Sequence, residues 1–327
     1  MNSSAPAPQP PPQRVPAPSD GGGDALLAAL RPAPVLPSPV QELDDARFAR
    51  RGVRLLLKRD DLIHPALPGN KWRKLAPNLR DALDSGAGTL LTFGGAYSNH
   101  LRATAAAGRM LGLATVGVVR GDELAHRPLN SSLAGCAADG MRLHFVSRSA
   151  YRHRGEPEFL ARLRDDLGLP GGEGALVIPE GGSNPLAVQG CTELGRELRG
   201  RADVAAVACG TGGTLAGLAA GLSPGQSALG VPVLRGGFLT DEIRDLQRSA
   251  FGGPRGDWRL DGRFHFGGYA RTAPELTGFA ADFAGRHGLP PLETVYVAKL
   301  LFGLTTLAEE GAFARGTTVA AVVTARG

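Results

Sequence analysis

Short apolar runs alternate along this chain with segments in which apolar residues recur at helical spacing. The runs VRLLLKR (53–59), TLLTFGG (89–95), ATVGVVRG (114–121), MRLHFV (141–146), ALVI (175–178) and VAAVAC (204–209) predict strands, and further strands are expected near 228–235, 262–266 and 318–323. Between them, KWRKLAPNLRDALDSG, the segment 98–111, the region near 128–139, EPEFLARLRDDLG and NPLAVQGCTELGRELRG predict helices. In EPEFLARLRDDLG the residues Phe159, Leu160, Leu163 and Leu167 gather on one side, and Pro77 is a point at which the first helix could divide. Short apolar strands joined by helices imply an α/β protein: open, twisted, mostly parallel sheets with helices on both faces.

Several of the predicted strands end in glycine turns: GGAYSNH (94–100), EGGSN (180–184), CGTGG (209–213) and RGG (235–237). Ligands of open parallel sheets gather at the carboxyl ends of the strands, so these turns mark one rim where chemistry belongs. In GGAYSNH, the polar triplet Ser98, Asn99 and His100 opens a helix and offers caps and free N–H groups to an anion, or simply caps an ordinary strand–helix junction. CGTGGTLAG is the stronger phosphate candidate, with Gly210, Gly212 and Gly213 baring the backbone and Thr211 and Thr214 adding hydroxyls; the alternative is a tight packing turn. No Gly-Lys-Ser/Thr closes it and no third glycine completes the dinucleotide spacing, which leaves a small phosphate ester.

Composition narrows the function class. With 327 residues, 43% of them apolar, the chain can build one large domain or two medium ones. The net charge of +5 comes from scattered arginines with no basic block interleaved with aromatics, which argues against nucleic acid. Cys136, Cys191 and Cys209 lie far apart and contain no CxxC, so neither a disulfide framework nor a metal site is expected. Residues 1–24, rich in Pro, Ser, Ala and Gly, read as a disordered tail without the plan of a secretion signal. With no apolar run of membrane-spanning length, the expected location is the cytoplasm.

Lys71 follows Pro68-Gly69-Asn70 at a helix start, and Lys74 lies on the same face. Lysines at such turns are usually solvated, but this pair has a second use. One amine can form an imine with an aldehyde while the other neutralises that aldehyde's phosphate, the two demands of pyridoxal phosphate.

KRDDLIHPALPGNKWRKL, TFGGAYSNH, IPEGGSNPLAVQG, CGTGGTLAG, HFGGYA and VYVAKLLFGL occur in that order. Together they resemble the pyridoxal-phosphate family that contains D-cysteine desulfhydrase and 1-aminocyclopropane-1-carboxylate (ACC) deaminase, from about Leu36 to the C-terminus. The resemblance implies a tryptophan synthase β-like, two-domain fold with the cofactor between a larger unit (25–74 plus 184–327) and a smaller inserted one (75–183). It implies that Lys71 holds the cofactor through an imine and then moves protons. Asn99 would bond the cofactor's phenolic oxygen, and Ser98, Asn99 and His100 would seat the substrate carboxylate. Lys74 and Gly210 to Thr214 would bind phosphate, with Tyr269 and Tyr296 lining the substrate pocket. An amino-acid substrate and a homodimer follow from the same resemblance.

Two positions bear on the reaction. ACC deaminases typically carry Glu directly after the second tyrosine, where this chain has Val297; Thr324 stands where they typically have Leu and the desulfhydrases tend to have Thr. The expected activity is therefore elimination from D-cysteine, or a similar β-substituted D-amino acid, to pyruvate, ammonia and sulfide. ACC deamination and non-catalytic binding of the cofactor or an amino acid are the alternatives. Val297 is also not the Ser or Thr expected of a desulfhydrase. Arg326 stands where the family has a glycine approaching the cofactor, and the chain stops at Gly327, earlier than is usual there.

Overall fold

The computed structural model describes residues 26, 27, 30–67, 69–169 and 174–327; the expected tail at 1–24 lies outside them. Ten strands form two sheets among these residues. The larger holds β1 (Val40–Leu43), β2 (Arg54–Lys58), β7 (Val204–Cys209), β8 (Ser227–Pro232), β9 (Asp257–Leu260) and β10 (Thr318–Val322), in the order β1-β2-β10-β7-β8-β9. Only β1 runs antiparallel, with Val40 opposite Lys58. The smaller sheet orders β5 (Arg142–Val146), β4 (Ala114–Arg120), β3 (Thr89–Gly94) and β6 (Ala175–Ile178), all parallel.

Strand alternation divides the core of the large sheet in two. Leu55 and Leu57 of β2 face Val319 and Ala321 and the helices Val297–Glu309 and Pro274–His287, whereas Leu56 faces Val322, Val207 and the helices Gly213–Gly221 and Leu239–Phe251. Both faces are covered, as the parallel part of the sheet requires. The helix Lys71–Asp84 instead serves the smaller sheet: Trp72, Leu75 and Leu79 pack with Leu90, Ala103 and Ile178. It is not divided at Pro77. The Arg73 carbonyl that loses Pro77's N–H faces Gly190, where a Cβ would come within 2.1 Å of it.

The other side of this helix is tied to the large sheet by a buried group of charges. Arg73 donates to both Asp60 oxygens at 2.8 Å and to Glu197 at 2.8 and 2.9 Å, and Lys58 Nζ lies 2.5 Å from Glu197. Ser38 closes the group by donating its hydroxyl to Asp60 at 2.6 Å. Two cations and two anions cancel, and hydrogen bonds use their donors and acceptors, which lets the group lie out of water.

Two expectations are corrected. The region 262–266 is not a strand: Asp257–Leu260 supplies the edge strand, and Gly262–Phe264 is a short 3-10 helix. The alternation of Phe264 and Phe266 imitates a strand, but Phe266 has φ +50° and Gly267 and Gly268 also have positive φ, a backbone that turns instead of extending. The single helix expected over 184–200 is two, Pro185–Gly190 and Thr192–Glu197, broken at Cys191, where Gly217 of the crossing helix presses in. All three cysteines are buried and unpaired. Among the described residues no helix is long and apolar enough to cross a membrane.

Replacing Arg73 with Met strands Asp60 and Glu197 in the interior. We expect a loss of about 3–5 kcal/mol in urea unfolding; a loss below about 1 kcal/mol would show that the group does not fasten the helix.

Candidate active site

The carboxyl ends of both sheets meet around the start of the helix Lys71–Asp84. Gly69, at φ +66°, lies against the Thr324 backbone after β10; a Cβ on it would fall 1.6 Å from the Thr324 carbonyl oxygen. The Asn70 N–H donates to that same oxygen at 3.2 Å, and the Asn70 amide donates to Thr214 Oγ1 at 3.1 Å. Lys71 is thus fixed between the end of β10 and the glycine loop after β7.

One turn on, Lys74 is buried and donates to the Gly181 carbonyl at 3.0 Å and to Ser183 Oγ at 3.1 Å. Ser183 Oγ lies 2.5 Å from Thr211 Oγ1, so the EGGSN turn of the small sheet closes onto the glycine loop of the large one. A Cβ on Gly213 would stand 2.9 Å from Ser183 Oγ and 3.2 Å from Lys74 Nζ. The helix Gly213–Gly221 begins there without a side-chain cap. Its first N–H groups and the Lys74 ammonium form a cradle for a dianion such as a phosphate monoester.

The electrostatics agree. Burial pulls the Lys71 amine down to about 7, and the charge of Lys74 adds to the effect. Burial also lowers Lys74. Among the described residues no carboxylate pairs with either amine. His100 is held well below its ordinary value by burial and by both lysines, and so is neutral. Thr92 Oγ1 donates its proton to the Ile178 carbonyl at 2.7 Å and lies 2.8 Å from His100 Nε2. His100 must therefore donate through Nε2, which leaves Nδ1 a bare acceptor with no partner among the described residues, beside Gly182.

Most of the other sequence candidates fall at this cleft. Ser98 caps the helix Asn99–Leu111 by accepting from Leu101 N at 3.3 Å, so its hydroxyl is partly committed to the fold. Asn99 opens onto a separate cavity of about 410 Å³ shared with Arg102, Ser131 and Ser132. Gly210 packs on Tyr296, whose hydroxyl would stand 3.2 Å from a Cβ placed there. Tyr296 and Tyr269 meet edge to face at 6.1 Å, and burial raises both phenols, keeping them protonated. Thr324 contributes its carbonyl to the Asn70 turn. Arg326 does not enter the cleft: its Nε donates to the Asp61 carbonyl at 3.0 Å and the side chain is half-exposed. Val297 is buried among Leu57, Leu301 and Val323.

Two supports escaped the sequence reading. One is the buried charge group at Arg73. The other is Lys299, which donates to the carbonyls of His265 at 2.9 Å and Gly268 at 2.8 Å and so fastens the positive-φ turn that presents Tyr269. A signal for both existed: the chain has four lysines against 32 arginines, and all four lysines (58, 71, 74 and 299) lie at these structural and chemical positions.

Between about pH 7 and 10.5 the unfolded chain holds a proton on Lys71 that the folded, ligand-free protein does not. Stability of the ligand-free protein therefore rises with pH across that window, and the penalty is fully present below it. Lys71→Met should stabilise this form at pH 6.5, and the gain should shrink by pH 9 in urea titrations; a gain independent of pH would contradict the depressed amine.

Comparison with known proteins agrees with this geometry. A crystal structure described as an ACC deaminase homologue superposes with a TM-score of 0.75 and 28% identity over 94% of this chain and 95% of that one. A Pyrococcus horikoshii protein with a provisional ACC deaminase name is 32% identical over 302 residues, 88% of this chain and 90% of its own. A Yersinia pestis protein named D-cysteine desulfhydrase is 33% identical over 264 residues, 76% of this chain and 74% of its own. The family model described as pyridoxal-phosphate dependent enzyme matches residues 30–325. The cleft that buries Lys71 and Lys74 thus has its explanation: the chain belongs to the pyridoxal-phosphate dependent enzymes, in the group that holds the ACC deaminases and D-cysteine desulfhydrases.

Proposed function

We propose that this enzyme carries out α,β-elimination on D-cysteine, or a similarly β-substituted D-amino acid, giving pyruvate, ammonia and sulfide. The observation that carries the reading is Val297, 1% exposed and packed in aliphatic side chains at the place where ACC deaminases typically have glutamate. Opening a cyclopropane ring calls for a carboxylate that keeps the cofactor's pyridine nitrogen protonated; expelling a thiolate, a good leaving group, calls for it less. The preference for the D-isomer and a homodimeric state follow from the family resemblance.

The residues fit the cofactor. The uncapped start of Gly213–Gly221 and Lys74 suit its phosphate, and the Lys71 amine suits its aldehyde. When bound, pyridoxal phosphate supplies an electron sink for negative charge at the substrate's Cα. Lys71, near 7, exchanges a proton at Cα close to neutral pH. The N–H groups at the start of the helix Asn99–Leu111 receive the α-carboxylate, with neutral His100 behind them. Tyr296 and Tyr269 wall the pocket as hydroxyl donors. The Cβ–S bond breaks with its electron pair leaving on sulfur; one water supplies the keto oxygen of pyruvate, and the nitrogen leaves as ammonia.

ACC deamination is the second reading, favoured by the name of the Pyrococcus relative and its coverage. Sulfide and pyruvate in equal amounts from D-cysteine, with little from ACC, is the expected result; a keto acid from ACC without sulfide from D-cysteine would overturn the proposal. Lys71→Ala should abolish turnover and the visible absorption of the bound cofactor. Lys74→Met should weaken cofactor binding by about tenfold or more in absorbance titrations, the scale of one charge-assisted contact; an unchanged affinity would move the phosphate elsewhere.

A further inference from the structure

The mouth of the cleft carries positive charge beyond the turn assigned to the α-carboxylate. β3 and β4 pair with Gly94 opposite Val119, so Arg120 leaves the rim beside Gly95, in the turn that receives the α-carboxylate. A Cβ on Gly95 would lie 3.7 Å from Arg120 Nη2. The Arg120 guanidinium stands 5.8 Å from the centre of the Tyr151 ring, and Arg154 stands 5.0 Å from it. Arg154 is paired with Glu180 at 2.9 Å, and Glu123, just past Gly121, is paired with Arg148 at 2.6 Å. Arg120 itself is exposed and, among the described residues, has no hydrogen bond or ion pair. Its charge reaches the Tyr269 phenol across the cleft. There Arg235, also exposed, follows β8 with its Cβ 3.9 Å from where a Cβ on Gly268 would stand.

We propose that Arg120 recognises an acidic group at the outer end of the substrate's β-substituent, so that the enzyme prefers β-substituted D-amino acids whose leaving group carries a carboxylate. This rests on the elimination reading above and narrows its substrate class. Arg120 and the Ser98–His100 turn stand on the same rim, so one amino acid can span both, its α-carboxylate at the turn and its outer carboxylate at the guanidinium. The planar guanidinium matches a carboxylate in two-point fashion, and the Tyr151 ring backs it. The reaction is unchanged in kind. S-(carboxymethyl)-D-cysteine and one water give pyruvate, ammonia and mercaptoacetate, the electron pair of the Cβ–S bond leaving on sulfur.

The test compares S-(carboxymethyl)-D-cysteine with its neutral near-isostere S-(carbamoylmethyl)-D-cysteine on the cofactor-loaded enzyme. Pyruvate formation gives kcat/KM, and the change in cofactor absorbance on adding each compound gives affinity, whether or not elimination follows. We expect the native enzyme to favour the acid by about tenfold, the scale of one hydrogen-bonded charge contact. Arg120→Gln should bring the ratio to within about twofold of one, while Arg148→Gln, which removes an arginine already paired with Glu123, keeps the native ratio. A native ratio near one, or an equal loss on both compounds in Arg120→Gln, would overturn the assignment; the equal loss would place Arg120 on the α-carboxylate. An Arg120-dependent affinity ratio without pyruvate would support the acidic-group site and sink only the elimination reading.

Discussion

Two amines one helical turn apart are withdrawn from water and, among the described residues, given no carboxylate; the rest of the site is arranged around that imbalance. Burial alone pushes both lysines toward the neutral form, and the charge of Lys74 makes Lys71 harder still to charge. Such a pair is costly in an empty protein. It becomes favourable when one amine is consumed by a carbonyl and the other meets a phosphate, which is the demand pyridoxal phosphate makes. The uncapped helix at Gly213 and the bare Nδ1 of His100 are further polar groups left unpartnered among the described residues.

Holding the pair in place falls to interactions away from the chemistry. Asp60 and Glu197 grip Arg73 on the buried side of the lysine helix, with Lys58 paired to Glu197, while Leu75 and Leu79 commit that helix to the small sheet. The helix therefore joins the two sheets. The Gly69 turn on the Thr324 carbonyl and the contact between Ser183 and Thr211 bring together strand ends far apart in sequence. The Val297–Glu309 helix has a related double role: Val297 belongs to the large-sheet core, and Lys299 two residues on fastens the turn of Tyr269.

Much of this was legible in the sequence. The apolar runs located β2 to β8 and β10, because strands buried on both faces are written as continuous apolar segments. The short edge strands were not legible in this way: β1 and β9 are partly polar, and the alternation of Phe264 and Phe266 drew the expected strand past Asp257–Leu260 into a turn. At the site, the glycine loops, Lys71, Lys74 and the tyrosines were readable from motifs. The commitment of Ser98 to capping, the Nε2 tautomer of His100 and the turning of Arg326 toward Asp61 were not, because each depends on a partner distant in the fold or on local geometry. The scarcity of lysine beside arginine was visible from the start and marked all four buried amines.

The division of labour between the two lysines is tested most directly by reducing the cofactor-loaded protein with borohydride and locating the pyridoxyl label by peptide mass spectrometry. The account predicts the label on Lys71 alone, with Lys58, Lys74 and Lys299 unmodified. A label on Lys74, or cofactor bound with no label on Lys71, would contradict it.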